Sequence, residues 1–192
     1  MNILALDLGT KTGWAVHWPG ITETGVQTFD VKRGESPGMR YIRFNEWLLR
    51  TVGPLAGEHR SMGLIVYEQT HQRGGAATEV AAGFATRVQE FCAKWGIEHT
   101  AVHTGTLKKF AAGSGNAGKA DMIEAAANLG GRFPEFKRVA DDFMARYNAW
   151  CDKAKPNKAQ VDGSPFSDEA DALCLLAYVM PELAAAAADR EA

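Results

Sequence analysis

Four acidic residues stand at points where strands or helices are predicted to begin or end. Asp7 and Glu68 each close a short apolar run typical of a buried strand. Asp168 and Asp171 are three residues apart at the start of the last predicted helix, so they share one helix face. Taken singly, each position also suits a structural role, such as a turn aspartate or an acidic residue in a first helical turn.

Taken together, the four carboxylates indicate a metal site. The ends of strands and helices can converge on one side of a sheet, and clustered carboxylates repel one another unless cations lie between them. Mg²⁺ fits such a set of oxygen ligands and Mn²⁺ is the alternative, because both ions prefer carboxylate, water and phosphate oxygens. Two such ions, about 4 Å apart, could support in-line displacement at a phosphodiester.

The elements that position these carboxylates follow from apolar periodicity and turn residues, which predict an α/β fold with a mixed sheet flanked by helices. Ser167 is the predicted N-cap of the last helix. The aromatic spacing between Phe136 and Trp150 predicts an amphipathic helix inside 130–166. The predicted strands are 2–8, 12–18, 21–29, 62–67 and 97–102, and the other predicted helices are 38–51, 76–95, 105–111, 119–128 and 168–188.

Length and composition exclude several classes of protein. The 192 residues predict a single domain over 1–192 with an extended helical insertion around 130–166, and they are too few for a two-lobed ATPase. No apolar run reaches the roughly 20 residues that span a bilayer, so no membrane partner is expected. Three widely separated cysteines favour the reducing cytoplasm.

The acidic motifs resemble those of the RuvC-type Holliday junction resolvases, which have a ribonuclease H-like fold. The resemblance covers most of 1–129 and 167–179 and extends to the basic segment that includes Lys108, Lys109 and Lys119. The matching acidic motifs are Leu4-Ala-Leu-Asp7-Leu-Gly9-Thr-Lys-Thr-Gly13, Ile65-Val-Tyr-Glu68-Gln69 and Asp168-Glu-Ala-Asp171.

This resemblance implies a Mg²⁺-dependent endonuclease that nicks four-way DNA junctions symmetrically as a homodimer. The four carboxylates would be its catalytic metal ligands, with two ions in each active site. Lys119 would act at the scissile phosphate, where an ammonium group can neutralise developing charge. Lys108 would lie near the same phosphate, and Lys109 would contribute to DNA binding.

Two further regions bear on DNA binding. The segment 103–160 carries ten Lys and Arg against six Asp and Glu, although the whole chain has a formal charge of −2. After Glu68, members of the family often present an aromatic side chain to the junction centre. Here His71, Gln72 and Arg73 occupy that loop and are the predicted DNA contacts, by stacking or by phosphate binding.

Some alternatives stay open from the sequence. Small residues in the helix 76–95 suit either a homodimer interface or packing against the helix's own sheet. The same fold could also serve a nuclease that acts on forks, flaps or other branched nucleic acid. A junction-binding protein without catalysis is a third reading.

Overall fold

The computed structural model of the chain describes residues 1–52, 62–69 and 75–191. For Ala77 and for residues 182–191 it describes the backbone only. Five strands lie in these ranges: β1 Ile3–Asp7, β2 Lys11–Trp18, β3 Ile21–Thr28, β4 Leu64–Glu68 and β5 Glu98–Val102. They form one sheet in the order β3-β2-β1-β4-β5. β1, β2 and β3 pair antiparallel, whereas β4 runs parallel to both β1 and β5. The mixed five-stranded sheet predicted from the sequence is confirmed.

Helices cover both faces of this sheet. The bounds of four helices, Met39–Thr51, Ala76–Trp95, Thr104–Ala112 and Lys119–Ala127, lie within one residue of those predicted from periodicity. Among the described residues, no helix is both long and apolar enough to cross a membrane. The helices are α1 Met39–Thr51, α2 Ala76–Trp95, α3 Thr104–Ala112, α4 Lys119–Ala127, α5 Leu129–Arg132, α6 Lys137–Ala154, α7 Lys158–Asp162 and α8 Pro165–Glu191.

The central strand β1 is buried on both faces, because successive side chains of a strand point to opposite sides. Leu6 packs with Phe44 of α1 and Phe84 of α2 in one core. Ala5 belongs to a second core with residues of α3 to α6 and of α8, including Leu173. Strand β1 and its last residue, Asp7, are therefore held between two independent hydrophobic layers.

The first turn of α8 lies directly on β2, and this contact depends on Gly13. A Cβ atom built on Gly13 would lie 1.9 Å from the carbonyl oxygen of Asp168. Gly13 is also the residue of β2 that pairs with Asp7. The absence of a side chain at Gly13 thus lets the start of α8 sit beside the end of β1.

The predicted start of the last helix was wrong. The helix begins at Pro165, so Ser167 lies inside the first turn instead of at the N-cap. Proline is favoured at the first helical position because its missing N–H group would have no partner there. The hydroxyl of Ser167 instead lies 3.0 Å from the carbonyl oxygen of Ser164.

An ion pair between a half-exposed arginine and a buried glutamate joins the predicted amphipathic helix, which is α6, to the start of α8. Arg146 donates hydrogen bonds to both carboxylate oxygens of Glu169, at 3.0 and 2.6 Å. Glu169 is only 3% exposed. Phe143 and Trp150 pack on the α8 side of the sheet, so the aromatic stripe covers core. This part of 130–166 therefore supports the helix that carries Asp168 and Asp171.

Candidate active site

Two of the four predicted carboxylates end neighbouring parallel strands. Asp7 is the last residue of β1 and Glu68 is the last residue of β4. The residues before them, Leu6 and Tyr67, are paired in register. Both carboxylates therefore lie at the same edge of the sheet, as the strand-end positions predicted.

The other two carboxylates reach this edge from α8. Asp168 lies in the first turn of α8 against Gly13, and Asp171 follows about one turn later. The side chain of Asp168 is 19% exposed. The Oδ1 atom of Asp171 is buried and has no hydrogen-bond partner among the residues that the structure describes. An enclosed carboxylate oxygen without a donor is costly unless a proton or a cation compensates it.

Electrostatics show that the four groups act on one another. The pKa of Asp7 is raised well above its ordinary value, first by burial and then by the charges of the other three carboxylates. Burial, followed by the charge of Glu68, raises the pKa of Asp171 to about 7. Burial also raises the pKa of Asp168. The structure thus brings the four predicted carboxylates into one mutually repelling group, which we call the acidic cluster.

A hydrogen bond holds the carboxylate of Glu68. The hydroxyl of Thr104, the first residue of α3, donates to Glu68 Oε1 at 2.5 Å. As the side chains stand, no group of three or more His, Cys, Asp or Glu in the described ranges is arranged to hold a metal ion. The chemistry of these side chains nevertheless suits a hard divalent cation. They are mutually repelling carboxylates, and one of their buried oxygens accepts no hydrogen bond from the described residues.

Basic residues from α3 and α4 approach the acidic cluster. Lys119, the first residue of α4, donates from Nζ to the hydroxyl of Ser167 at 3.2 Å and lies 3.9 Å from Asp168 Oδ1. The positive charges of Lys108 and Lys119 oppose the rise in the pKa of Asp171. Lys109 instead lines an open pocket with Phe110 and Tyr178.

The solved structures that match this chain include two of RuvC from Thermus thermophilus. One is described as that protein in complex with a Holliday junction substrate. It is 16% identical, with 91% of this chain and 90% of that chain covered and a TM-score of 0.57. The second is a structure of Thermus thermophilus RuvC, also 16% identical, with coverage of 95% and 96% and a TM-score of 0.57.

The fold is RuvC-like. The expected ribonuclease H-like architecture is therefore confirmed over nearly the whole chain. Searches with protein-family models and of curated proteins give no match. At this level of identity the likeness shows the fold alone, so the roles of individual residues rest on the geometry of the acidic cluster.

Some predicted contacts of the RuvC-like chain lie outside the described residues. His71, Gln72 and Arg73 belong to the segment 70–74, which is not described, so their predicted contacts with DNA stay predictions. The glycine-rich stretch after α3 is described. Gly113 ends α3 with φ of 77°, a left-handed conformation that suits glycine, and the chain then turns into α4.

Three residues of the site were missed by sequence reasoning. Ser167 supports Lys119, Thr104 holds Glu68, and Lys11 lies near enough to Asp168 for its charge to lower the pKa of that carboxyl. Ser167 and Thr104 had weak signals, because each sits next to an element end that faces the acidic cluster. Lys11 had no local signal, because its place beside the acidic cluster depends on the contact between Gly13 and the distant start of α8.

Proposed function

We propose that this protein is a Mg²⁺-dependent endonuclease that resolves four-way DNA junctions by paired, symmetric nicks during recombination and repair. The observation that carries this proposal is the acidic cluster, in which burial, and then the charges of the other three carboxylates, raise the pKa of Asp7. The RuvC-like fold supports it, because one matched structure is described as RuvC in complex with a Holliday junction substrate.

Asp7, Glu68, Asp168 and Asp171 are the residues that would hold the metal, with two ions in each site. Bound Mg²⁺ supplies a more acidic water and stabilises the negative charge on the phosphate in the transition state. The unpartnered Oδ1 of Asp171 supports this assignment, because a cation would replace the missing hydrogen-bond donor.

The remaining chemistry belongs to groups of the chain itself. Ser167 holds the Lys119 ammonium beside Asp168, where it can neutralise charge on the scissile phosphate. Lys108 stands on the Asp171 side of the acidic cluster and supplies a second positive charge. In the proposed reaction, a water oxygen attacks phosphorus and the bond from phosphorus to the 3′ oxygen breaks. The products are a 5′-phosphate and a 3′-hydroxyl, which takes up the proton.

Paired nicks require two active sites, which a homodimer with two-fold symmetry would supply. The α2 helix is the proposed interface, although part of its small-residue stripe serves the chain's own packing. A Cβ on Gly83 would lie 2.3 Å from the hydroxyl of Tyr41 in α1. Ala85 is buried in the core, whereas Ala76 and Ala82 are exposed. The exposed alanines are the positions left for a second copy.

The direct test is cleavage of labelled synthetic DNA by the purified protein. We expect symmetric nicks in a four-way junction that need Mg²⁺, little cutting of linear duplex, and no cutting by Asp7→Asn. Asp152→Asn is the matched control, because it makes the same change on the exposed surface of α6. Equal cutting of linear duplex, or an active Asp7→Asn variant, would overturn the proposal. Faster cutting of forks or flaps than of junctions would favour the alternative substrates.

A further inference from the structure

Lys11 is an exposed lysine at the start of β2, the strand that pairs with β1 on the side away from β4 and β5. Side chains two residues apart on a strand point to the same face. The Cβ direction of Gly13 points at the backbone of Asp168, so the side chain of Lys11 leaves β2 on the α8 side as well. The two-residue separation of Lys11 and Gly13 therefore places Lys11 on the face of β2 that carries the first turn of α8.

The positive charge of Lys11 acts on the carboxylate of Asp168, although the two side chains do not form an ion pair. Burial raises the pKa of Asp168, and the charge of Lys11 opposes that rise, after the larger opposing effects of Lys119 and of the Ser167 hydrogen bond. No ion pair within 4.0 Å involves Lys11 among the described residues, whereas Lys119 lies 3.9 Å from the Asp168 carboxylate. The ammonium group of Lys11 is thus close to the site and available to an incoming anion.

The loop that leads into Lys11 is held in place. The hydroxyl of Thr12 donates to the carbonyl oxygen of Gly9 at 2.7 Å, and the N–H of Phe29 donates to the carbonyl oxygen of Thr10 at 2.7 Å. Arg40 of α1 also donates to the hydroxyl of Thr10, at 3.5 Å. Lys11 therefore extends from a fixed backbone, which favours a defined contact over a fluctuating one.

We propose that Lys11 binds a backbone phosphate of the DNA strand that is cut, on the β2 side of the acidic cluster. Lys108 and Lys119 hold the strand on the other side, so the strand would cross the ends of β1 and β4 between positive charges. This assignment rests on the proposed function, since it takes DNA as the substrate. It adds a binding position that the acidic motifs do not predict.

A structural reading of Lys11 competes with this one, because the lysine could merely offset the charge of Asp168. The dependence of DNA affinity on salt separates the two readings. Each phosphate contact releases condensed counterions from the DNA, whereas neutralisation of a carboxylate within the protein does not.

The test measures the Kd of Lys11→Gln for a labelled four-way junction and for linear duplex at several salt concentrations, without divalent metal so that no cleavage occurs. We expect affinity about tenfold weaker at low salt and a slope of log Kd against log salt concentration that is shallower by about 0.9. Lys11→Arg should keep the wild-type slope. Lys94→Gln, the same change at an exposed lysine in the last turn of α2 and outside the basic segment 103–160, should leave both quantities unchanged.

A wild-type slope for Lys11→Gln, or an equal change for Lys94→Gln, would overturn the assignment of Lys11 even if the wild-type protein cleaves junctions. If the wild type binds duplex but neither prefers nor cuts junctions, a shallower slope for Lys11→Gln on duplex still supports the phosphate contact while the proposed function fails. Absence of any DNA binding by the wild type would overturn both.

Discussion

Replacing Gly13 with alanine should displace the start of α8 from the sheet. The added Cβ would meet the carbonyl oxygen of Asp168 at 1.9 Å and its carbonyl carbon at 2.3 Å. These neighbours are backbone atoms, so no side-chain rotation can relieve the contact. To restore an ordinary separation of 3.4 Å, β2 and the first turn of α8 must move apart by about 1.5 Å.

The magnitude of the effect follows from this displacement. Overpacking of a filled interior typically costs about 1–3 kcal/mol in the free energy of unfolding. For a domain of this size, that loss corresponds to a fall in Tm of about 2–12 °C. Because Asp168 and Asp171 move with α8, cleavage should slow by about 100-fold, the usual cost of a misplacement near 1 Å.

The assay compares single-turnover junction cleavage and thermal unfolding of Gly13→Ala with those of the wild type, at a temperature where both are folded. Gly131→Ala is the matched control, since a Cβ there meets nothing within 4 Å. The control should change stability by less than about 1 kcal/mol. If Gly13→Ala retained both the stability and the rate of the wild type, the close contact between β2 and α8 would be refuted.

Two further predictions concern buried charge. Arg146→Gln leaves the buried Glu169 without its cation, so urea unfolding should show a loss of about 2 kcal/mol, less than for a fully buried pair because the Arg146 side chain is 38% exposed. Arg50→Gln, which breaks an exposed pair, should cost less than about 1 kcal/mol, and similar losses in both would contradict this reasoning. In metal-free protein, Asp171 keeps its proton in the folded state up to about pH 7, whereas the unfolded chain releases it near 3.8. Folding stability should therefore fall as pH rises through that window, and Mg²⁺ should raise Tm more above pH 7 than near pH 4. A pH-independent effect of Mg²⁺ would count against Asp171 as a metal ligand.

The sequence predicted the fold and the convergence of the four carboxylates of the acidic cluster for a clear physical reason. A carboxylate that closes an apolar strand must lie at a sheet edge, and parallel neighbours bring such edges together. This argument placed Asp7 and Glu68 at one edge of the sheet. Asp168 and Asp171 could be assigned to one helix face because a three-residue spacing is local to one helix.

What sequence reasoning missed depends on contacts between distant residues. The approach of α8 to Gly13 joins positions about 155 residues apart and leaves no local signature. The same holds for Arg146 and Glu169, whose pairing appears only once α6 lies on α8. The start of α8 was misplaced because Ser167 suits an N-cap in isolation, whereas Pro165 already begins the helix.

The most direct test of the central claim is the fate of a supercoiled plasmid that carries an extruded cruciform, a four-way junction within closed DNA. Two coordinated nicks at the junction convert the plasmid to a linear product, whereas unpaired nicking gives an open circle. We predict that the wild-type protein with Mg²⁺ yields mainly linear plasmid and that Asp7→Asn yields none. Open circles alone, equal cutting of a plasmid without the cruciform, or linear product from Asp7→Asn would contradict the proposal that the acidic cluster resolves four-way junctions.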